Sequence, residues 1–489
     1  MRTLDMLVIA LYGVGVLAVG RYYGNRAKTA DDYLLGGRRM SPLLIGLSLF
    51  ATITSTLSYL AYPGEMVKYG PMIFTGMASF PLVMFIIGWL LIPAIMRQRN
   101  VTSGYELLEA RLGLSGRLLG AGMFVALRTV WMASILYATS DKVIVPMFHL
   151  DRAWAPWVGA GLGLITMIYT TQGGLRAVVL TDVLQAIIMF AGAVAAIAIV
   201  SLDLGGIENW WPRQWPEHWQ QPVFWFRSST RVTFMGAFLN TLVWTTCTAG
   251  ADQMAIQRYL ATRDARAARR SFAIHLTTEV LMSLLLGAVG LAVLAYFAAH
   301  AELSVSGGDA LQFADELLPR FVMVGMPAGI SGLVIAAILS AAMSSLSSGM
   351  NSASAVISTD WVERFGNTKR SEADQVKLAR IICVVVGGLA IAMSTVVGGM
   401  AENLLELCIK VVNLLTAPIF VLFLLALFVP WSTPLGGIAA TAASVSVAVG
   451  IVFFHWFNLE FLWSSPCSLA AGAIAGVFVS ALSSAPSRH

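Results

Sequence analysis

Apolar runs long enough to cross a bilayer recur along the whole chain, and this pattern rules out a fold built around a single water-excluded core. A membrane-spanning helix needs about 20 apolar residues. Thirteen such runs can be drawn: 4–21, then 42–70, 72–97, 115–146, 155–172, 176–201, 232–250, 272–299, 321–356, 377–399 and 403–429, and finally 434–457 and 461–483. The middle ten are numbered core spans one to ten. Charged residues make up 12% of the 489, about half the ~25% usual in soluble domains. Within hydrocarbon a single span must satisfy its own backbone polar groups, which selects helices. The expectation is an all-α polytopic membrane protein of one transmembrane domain, residues 1–489, with about 13 helices. Run 4–21 has no clear small-x-small cleavage site and reads as a retained helix rather than a signal peptide.

The net charge of +5 is no nucleic-acid signature, because the basic residues sit in short loops between spans. One alternating set of loops is dense in them: Arg21, Arg26, Lys28, Arg38 and Arg39; Arg97, Arg99, Arg111 and Arg117; Arg176; Arg258, Arg263, Arg266, Arg269 and Arg270; Arg364, Lys369, Arg370, Lys377 and Arg380. That side is assigned to the cytoplasm, with the N-terminus outside and the C-terminus inside. Core spans one and six then enter from opposite sides, because each half holds an odd number of spans. This is the plan of an inverted repeat, with repeat one at 42–201 and repeat two at 232–429. Cys247, Cys383, Cys408 and Cys467 lie in or beside apolar runs without metal-site spacing, so neither disulfides nor zinc are expected. No P-loop occurs, which sets aside a primary pump.

The residues that carry chemistry lie inside the spans. Ser340–Ser354 reads SAAMSSLSSGMNSAS. At about 100° per residue, Ser344, Ser345, Ser347 and Ser348 fall within an arc of roughly 160°, with Asn351 in its middle. Met343, Leu346 and Met350 take the other side. Such a ladder of neutral oxygens suits a small hard cation, or else supplies small residues for close helix packing. Core span one is rich in Ser and Thr from Ala51 to Ser58, with Pro63 and Gly64 following. A mid-membrane break there would free carbonyls for a cation; a continuous kinked helix is the alternative. Asp182 is an acid one turn into core span five, either functional or interfacial. Arg128 is a lone guanidinium at depth that could grip a substrate carboxylate or be neutralised by a protein acid. Glu406 and Lys410, four apart, read as an intrahelical pair. The tryptophans of loop 202–231 read as interfacial anchors, or in part as an outer lid.

Five stretches then carry a resemblance: TADDYLLGGRRMSP (29–42), TSGYELLEARLG (102–113), GGLRAVVLTDVLQ (173–185), ADQMAIQRYLA (251–261) and SSLSSGMNSAS (344–354). In this order the chain resembles the sodium/solute symporter family, which moves sugars, proline, sialic acid, monocarboxylates, iodide and vitamins with sodium. The resemblance implies a leucine-transporter-type fold with two inverted five-helix repeats. It implies a first Na+ site from the carbonyls of Ala51, Thr54 and Ala341 and the hydroxyls of Ser344 and Ser345. A second Na+ site would use Asp182, Ser344, Ser347 and Ser348. The substrate pocket would include Ser55, Ser58, Thr245 and Thr248, the last two standing where sugar-type members carry Asn and Tyr. Core span two lacks the Gln or Glu of sugar and sialic acid members. The stretch 117–138 is more like the monocarboxylate, iodide and vitamin branch, so an organic anion on Arg128, or a sugar, is the expected solute.

The expected function is therefore sodium-coupled solute import at the plasma membrane by a single chain, with a proton-coupled symporter as the alternative. A channel or sensor is the third reading. No enzymatic activity and no nucleic-acid partner are expected.

Overall fold

The computed structural model describes residues 2–24, 29–98, 101–227, 230–303, 311, 314–366, 370–397 and 404–484, with side chains except at 404–411 and 413. Arg26, Lys28, Arg99 and Lys369, and the side chains of Glu406, Cys408 and Lys410, lie outside these. No β-strand occurs among the described residues; one isolated bridge joins Met40 and Thr262. Nine helices there are long and apolar enough to span a membrane, or ten if one sharply bent pair counts as one span.

Helix α1 (Thr3–Gly24) lies along the bundle. Its Asp5 Oδ1 accepts from the amides of Gly329 (2.7 Å) and Gly332 (3.0 Å) and from Ser331 Oγ (2.6 Å), capping a later helix start. Core span one is two helices, α2 (Pro42–Ile53) and α3 (Thr56–Tyr69), bent by 68°. Helix α4 (Pro71–Met96) follows, then α5 (Glu106–Tyr137).

Element α6 (Ala155–Asp203) holds 49 residues, more than twice the ~20 that one bilayer crossing takes, and is two helices joined at a kink. Gly174 interrupts it at φ 60°, ψ −164°, where the sequence separates core spans four and five. Only glycine occupies this backbone region without strain. A Cβ at Gly174 would also stand 2.6 Å from the carbonyl oxygen of Tyr33. Gly174→Ala is expected to cost about 1–3 kcal/mol from backbone strain alone, read as a lower melting temperature of purified protein; an unchanged melting temperature would contradict this.

The second half holds α7 (Phe234–Ala251), the short α8 (Gln253–Leu260), α9 (Ala265–Ala299), α10 (Ala314–Val324), α11 (Ile330–Val356), α12 (Glu372–Val397) and α13 (Leu404–Phe428). Helices α14 (Pro434–Phe454) and α15 (Ser464–Ser483) pack on each other at the end of the chain. The expected span 321–356 is divided. Phe321–Val324 belongs to α10, and α11 starts afresh after Pro327 and Gly329, the latter at φ 87°.

Helix α11 is the buried axis of the fold. It packs against α6, α1, α12 and α5, and from Ser340 to Val356 every residue is buried. Met343, Leu346 and Met350 therefore face other helices rather than lipid. The tryptophans of loop 202–231 divide in role: Trp211, Trp215 and Trp225 are exposed, whereas Trp210 and Trp219 are buried, with Trp219 lying over Gly70 at the end of α3.

Candidate functional site

The bend between α2 and α3 falls at Thr54 and Ser55, well before Pro63. Pro63 sits inside α3 without breaking it. The break is stabilised from across the bundle. In an unbroken helix the carbonyls of Ala51 and Thr52 would accept from the amides of Ser55 and Thr56. Here Ser344 Oγ donates to Ala51 O at 2.6 Å and Ser345 Oγ donates to Thr52 O at 2.9 Å. Thr56 Oγ1 returns a bond to Ile338 O at 3.1 Å. The two hydroxyls thus replace two lost backbone hydrogen bonds, which is what a broken helix in a membrane requires.

The same contacts gather oxygens. Ser344 Oγ also lies 3.2 Å from Ala341 O, so Ala51, Ala341 and Ser344 converge on one spot between α2 and α11, with Ser345 one residue away. Thr54 and Ser55 are both extended, and Thr54 is the first residue past α2. Its side chain turns elsewhere, Oγ1 donating to Glu279 Oε2 at 3.0 Å.

Asp182 is fully buried, as is Arg258. Asp182 Oδ2 accepts from Ser48 Oγ at 2.5 Å and from Arg258 Nη2 at 2.9 Å. Arg258 Nη2 reaches Ser348 Oγ at 2.5 Å, Nε reaches Ser48 Oγ at 2.8 Å, and Nη1 donates to Met254 O at 3.0 Å. Thr52 Oγ1 and Ser348 Oγ share a bond of 2.8 Å. Asp182 Oδ1 has no hydrogen-bond partner. Ser347 Oγ bonds back to Ser344 O at 3.1 Å. The structure thus brings Asp182 to Ser348, and gives it a guanidinium partner that the charge count of the sequence had placed in a basic loop.

The reason for Arg258 lies in α8, a single short helix whose polar side chains tie the motif stretches together. Asp252 caps it, accepting from the Met254 amide at 2.8 Å, and pairs with Arg128. Gln253 bonds the Gly104 amide and Thr102 O; Gln257 bonds Leu34 O and Asn351 Oδ1. Arg128 is therefore neutralised by a protein acid, one of the two possibilities its sequence position left open.

Beside the bend lies a cavity of about 220 Å³. Ser58, Thr245 and Thr248 line it; Ser55 and Arg128 do not. Ser55 Oγ is buried and without a partner. The lining adds groups the sequence reading missed: His275, Glu279 and Ser283 of α9. Their spacing of four, which places them on one face of the helix, is the signal that could have found them. Toward the end of α3, Glu65 is held by both Arg231 Nη1 (2.5 Å) and Nη2 (2.8 Å), and Arg231 stacks 3.7 Å from the Tyr69 ring centre.

Residues 33–443 match the family model described as the Sodium:solute symporter family. A sodium/sialic acid symporter of Proteus mirabilis (strain HI4320) is 28% identical, covering 98% of this chain and 95% of the relative. The sodium-dependent multivitamin transporter of Oryctolagus cuniculus is 30% identical over 93% of this chain and 70% of its own length. Among solved structures, a substrate-bound, outward-open Na+-coupled sialic acid symporter shares the fold, with a TM-score of 0.85 over 98% of both chains at 24% identity.

Proposed function

The chain belongs to the sodium:solute symporter family, and we propose that it imports a small solute by alternating access, with sodium bound at the bend between α2 and α3. The observation that carries this is the Ser344 hydroxyl, which spans from α11 to the freed carbonyl of Ala51. Sodium at that spot would be held by the carbonyls of Ala51, Thr54 and Ala341 and the hydroxyls of Ser344 and Ser345. These are neutral oxygens on two separate elements, so a bound ion ties the elements together. It shifts the conformational equilibrium only by as much as it prefers the state in which they converge.

A second ion is proposed at Asp182. Arg258 neutralises Oδ2, but a buried carboxylate oxygen without a partner is costly, and the free Oδ1 supports a cation beside Ser344 and Ser347. The same Arg258 pairing argues against Asp182 as a proton carrier, which favours sodium over the proton-coupled alternative. A dense basic side in the cytoplasm, residence in the plasma membrane, repeats at 42–201 and 232–429, and one chain as the transport unit complete the proposal.

One charge crossing 100 mV supplies about 2.3 kcal/mol, and a tenfold sodium gradient about 1.4 kcal/mol. One ion therefore supports roughly 500-fold accumulation of a neutral solute. The solute need not be the organic anion of the sequence reading, because Arg128 is taken by Asp252. Sialic acid, named for the Proteus mirabilis relative, belongs in the solute panel alongside sugars, monocarboxylates, amino acids and amines. The test is uptake into proteoliposomes with external sodium replaced by potassium at fixed pH. Uptake should fall to background; uptake that persists and follows a pH gradient would reassign the coupling ion to the proton.

A further inference from the structure

We propose that Glu279 makes this carrier select a solute bearing a protonated amine on an apolar or aromatic body. The inference rests on the symport reading and names the substrate class of that cavity. The wall is mostly apolar, and no lysine or arginine lines it. Two carboxylates do. Glu65 is already closed off by its two bonds to Arg231. Glu279 receives the Thr54 hydroxyl at 3.0 Å and, among the described residues, has no lysine, arginine or histidine within ion-pair distance.

A carboxylate in a membrane-embedded cavity with one hydrogen bond lacks the partners that water would give it. A cationic solute supplies the missing charge. Tyr62, Phe74, Trp131 and Trp244 also line the cavity, and aromatic rings attract ammonium groups. Two further polar atoms in the lining, on Thr248 and His275, are buried and have no partner among the described residues. They are placed to meet the polar substituents of a bound molecule. A solute carboxylate would instead face Glu279 with like charge and no guanidinium, an arrangement that selects against it.

Thr54 makes the arrangement functional. Its hydroxyl holds Glu279, and its carbonyl belongs to the proposed sodium site. Two cations, sodium at the bend and an ammonium in the cavity, would repel each other; the negative charge between them offsets that repulsion. Glu279 thereby allows a cationic solute to bind after sodium.

The experiment uses the full chain purified in detergent with saturating sodium, and measures both radioactive sodium binding and solute-dependent thermal stabilisation in one sample. The probes are two matched sets, phenethylamine, phenethyl alcohol and phenylacetate, and glucosamine, glucose and glucuronate, with N-acetylneuraminate added. In the phenethyl set the amine should bind tenfold or more tighter than its neutral and acidic counterparts, and no carboxylate in either set should bind better; an amine preference confined to the sugar set overturns the apolar body. Glu279→Gln should weaken the amine tenfold or more while saturable sodium binding persists. Tightest binding by a neutral or acidic member, binding of N-acetylneuraminate, no amine binding, or an unaffected Glu279→Gln variant each overturns the proposal. Loss of sodium binding in the parent instead overturns the symport reading itself.

Discussion

Ser344→Ala combined with Ser345→Ala is expected to abolish sodium-driven uptake by a protein that still inserts and purifies. Both hydroxyls are buried and each bonds a carbonyl freed at the bend, Ala51 O and Thr52 O. Removing them strips two oxygens from the proposed ion site. Taking about 1.5 kcal/mol per contact to a charged group, the low end of the range, the pair is worth about 3 kcal/mol. Sodium affinity should then fall by a factor of about 100 or more. Some loss of thermal stability should accompany this, because the two carbonyls are left without donors. Ser354→Ala is the control on the same helix: its hydroxyl bonds Ala379 O at 2.6 Å, toward α12 and away from the bend. It should leave sodium affinity unchanged. A double variant with parental sodium affinity would remove the first site from this location.

The second large effect is expected at Asp182. Asp182→Ala leaves the Arg258 guanidinium fully buried without its counter-charge, and breaking a buried pair from one side costs about 3–5 kcal/mol. The melting temperature should drop markedly. Adding Arg258→Met should recover much of the loss, because the uncompensated charge is then gone. A double variant no more stable than Asp182→Ala would show that the pair does not interact as described. Asp182→Asn keeps the shape and removes the charge. It should lower the Hill coefficient for sodium from about two toward one if Asp182 Oδ1 holds a second ion. A parental coefficient already at one would vacate that site.

Much of the architecture was legible because membrane insertion imposes simple rules. The division of α6 at Gly174 falls between two apolar runs that already separated there. The leucine-transporter-type fold was implied by the five motif stretches. The serine ladder of α11 could be placed on one face by helical periodicity alone. The position of the bend was not legible from its proline: Pro63 is absorbed within α3, and the break occurs where hydroxyls from another helix can replace the missing amides. That is a tertiary cause with no local signature.

The charged residues were harder for the same reason. Arg258 stands in a stretch with Arg263, Arg266, Arg269 and Arg270, and by charge density it counted as one of a cytoplasmic loop. Only the packing of α8 against α2 and α11 makes it a buried partner for Asp182. Arg128 drew attention as a lone cation at depth, yet its counter-ion Asp252 is 124 residues away. Glu279 was readable in principle, since His275, Glu279 and Ser283 repeat every four residues on α9.

Sodium coupling here depends on one physical feature, a binding place for the ion formed by the bend between α2 and α3 and the serines of α11. Equilibrium binding of radioactive sodium to the purified parent chain tests it most directly. The expected result is saturable binding that unlabelled sodium displaces, that potassium does not, and that the Ser344→Ala, Ser345→Ala variant loses. Binding that never saturates, or that survives in that variant at parental affinity, would contradict it.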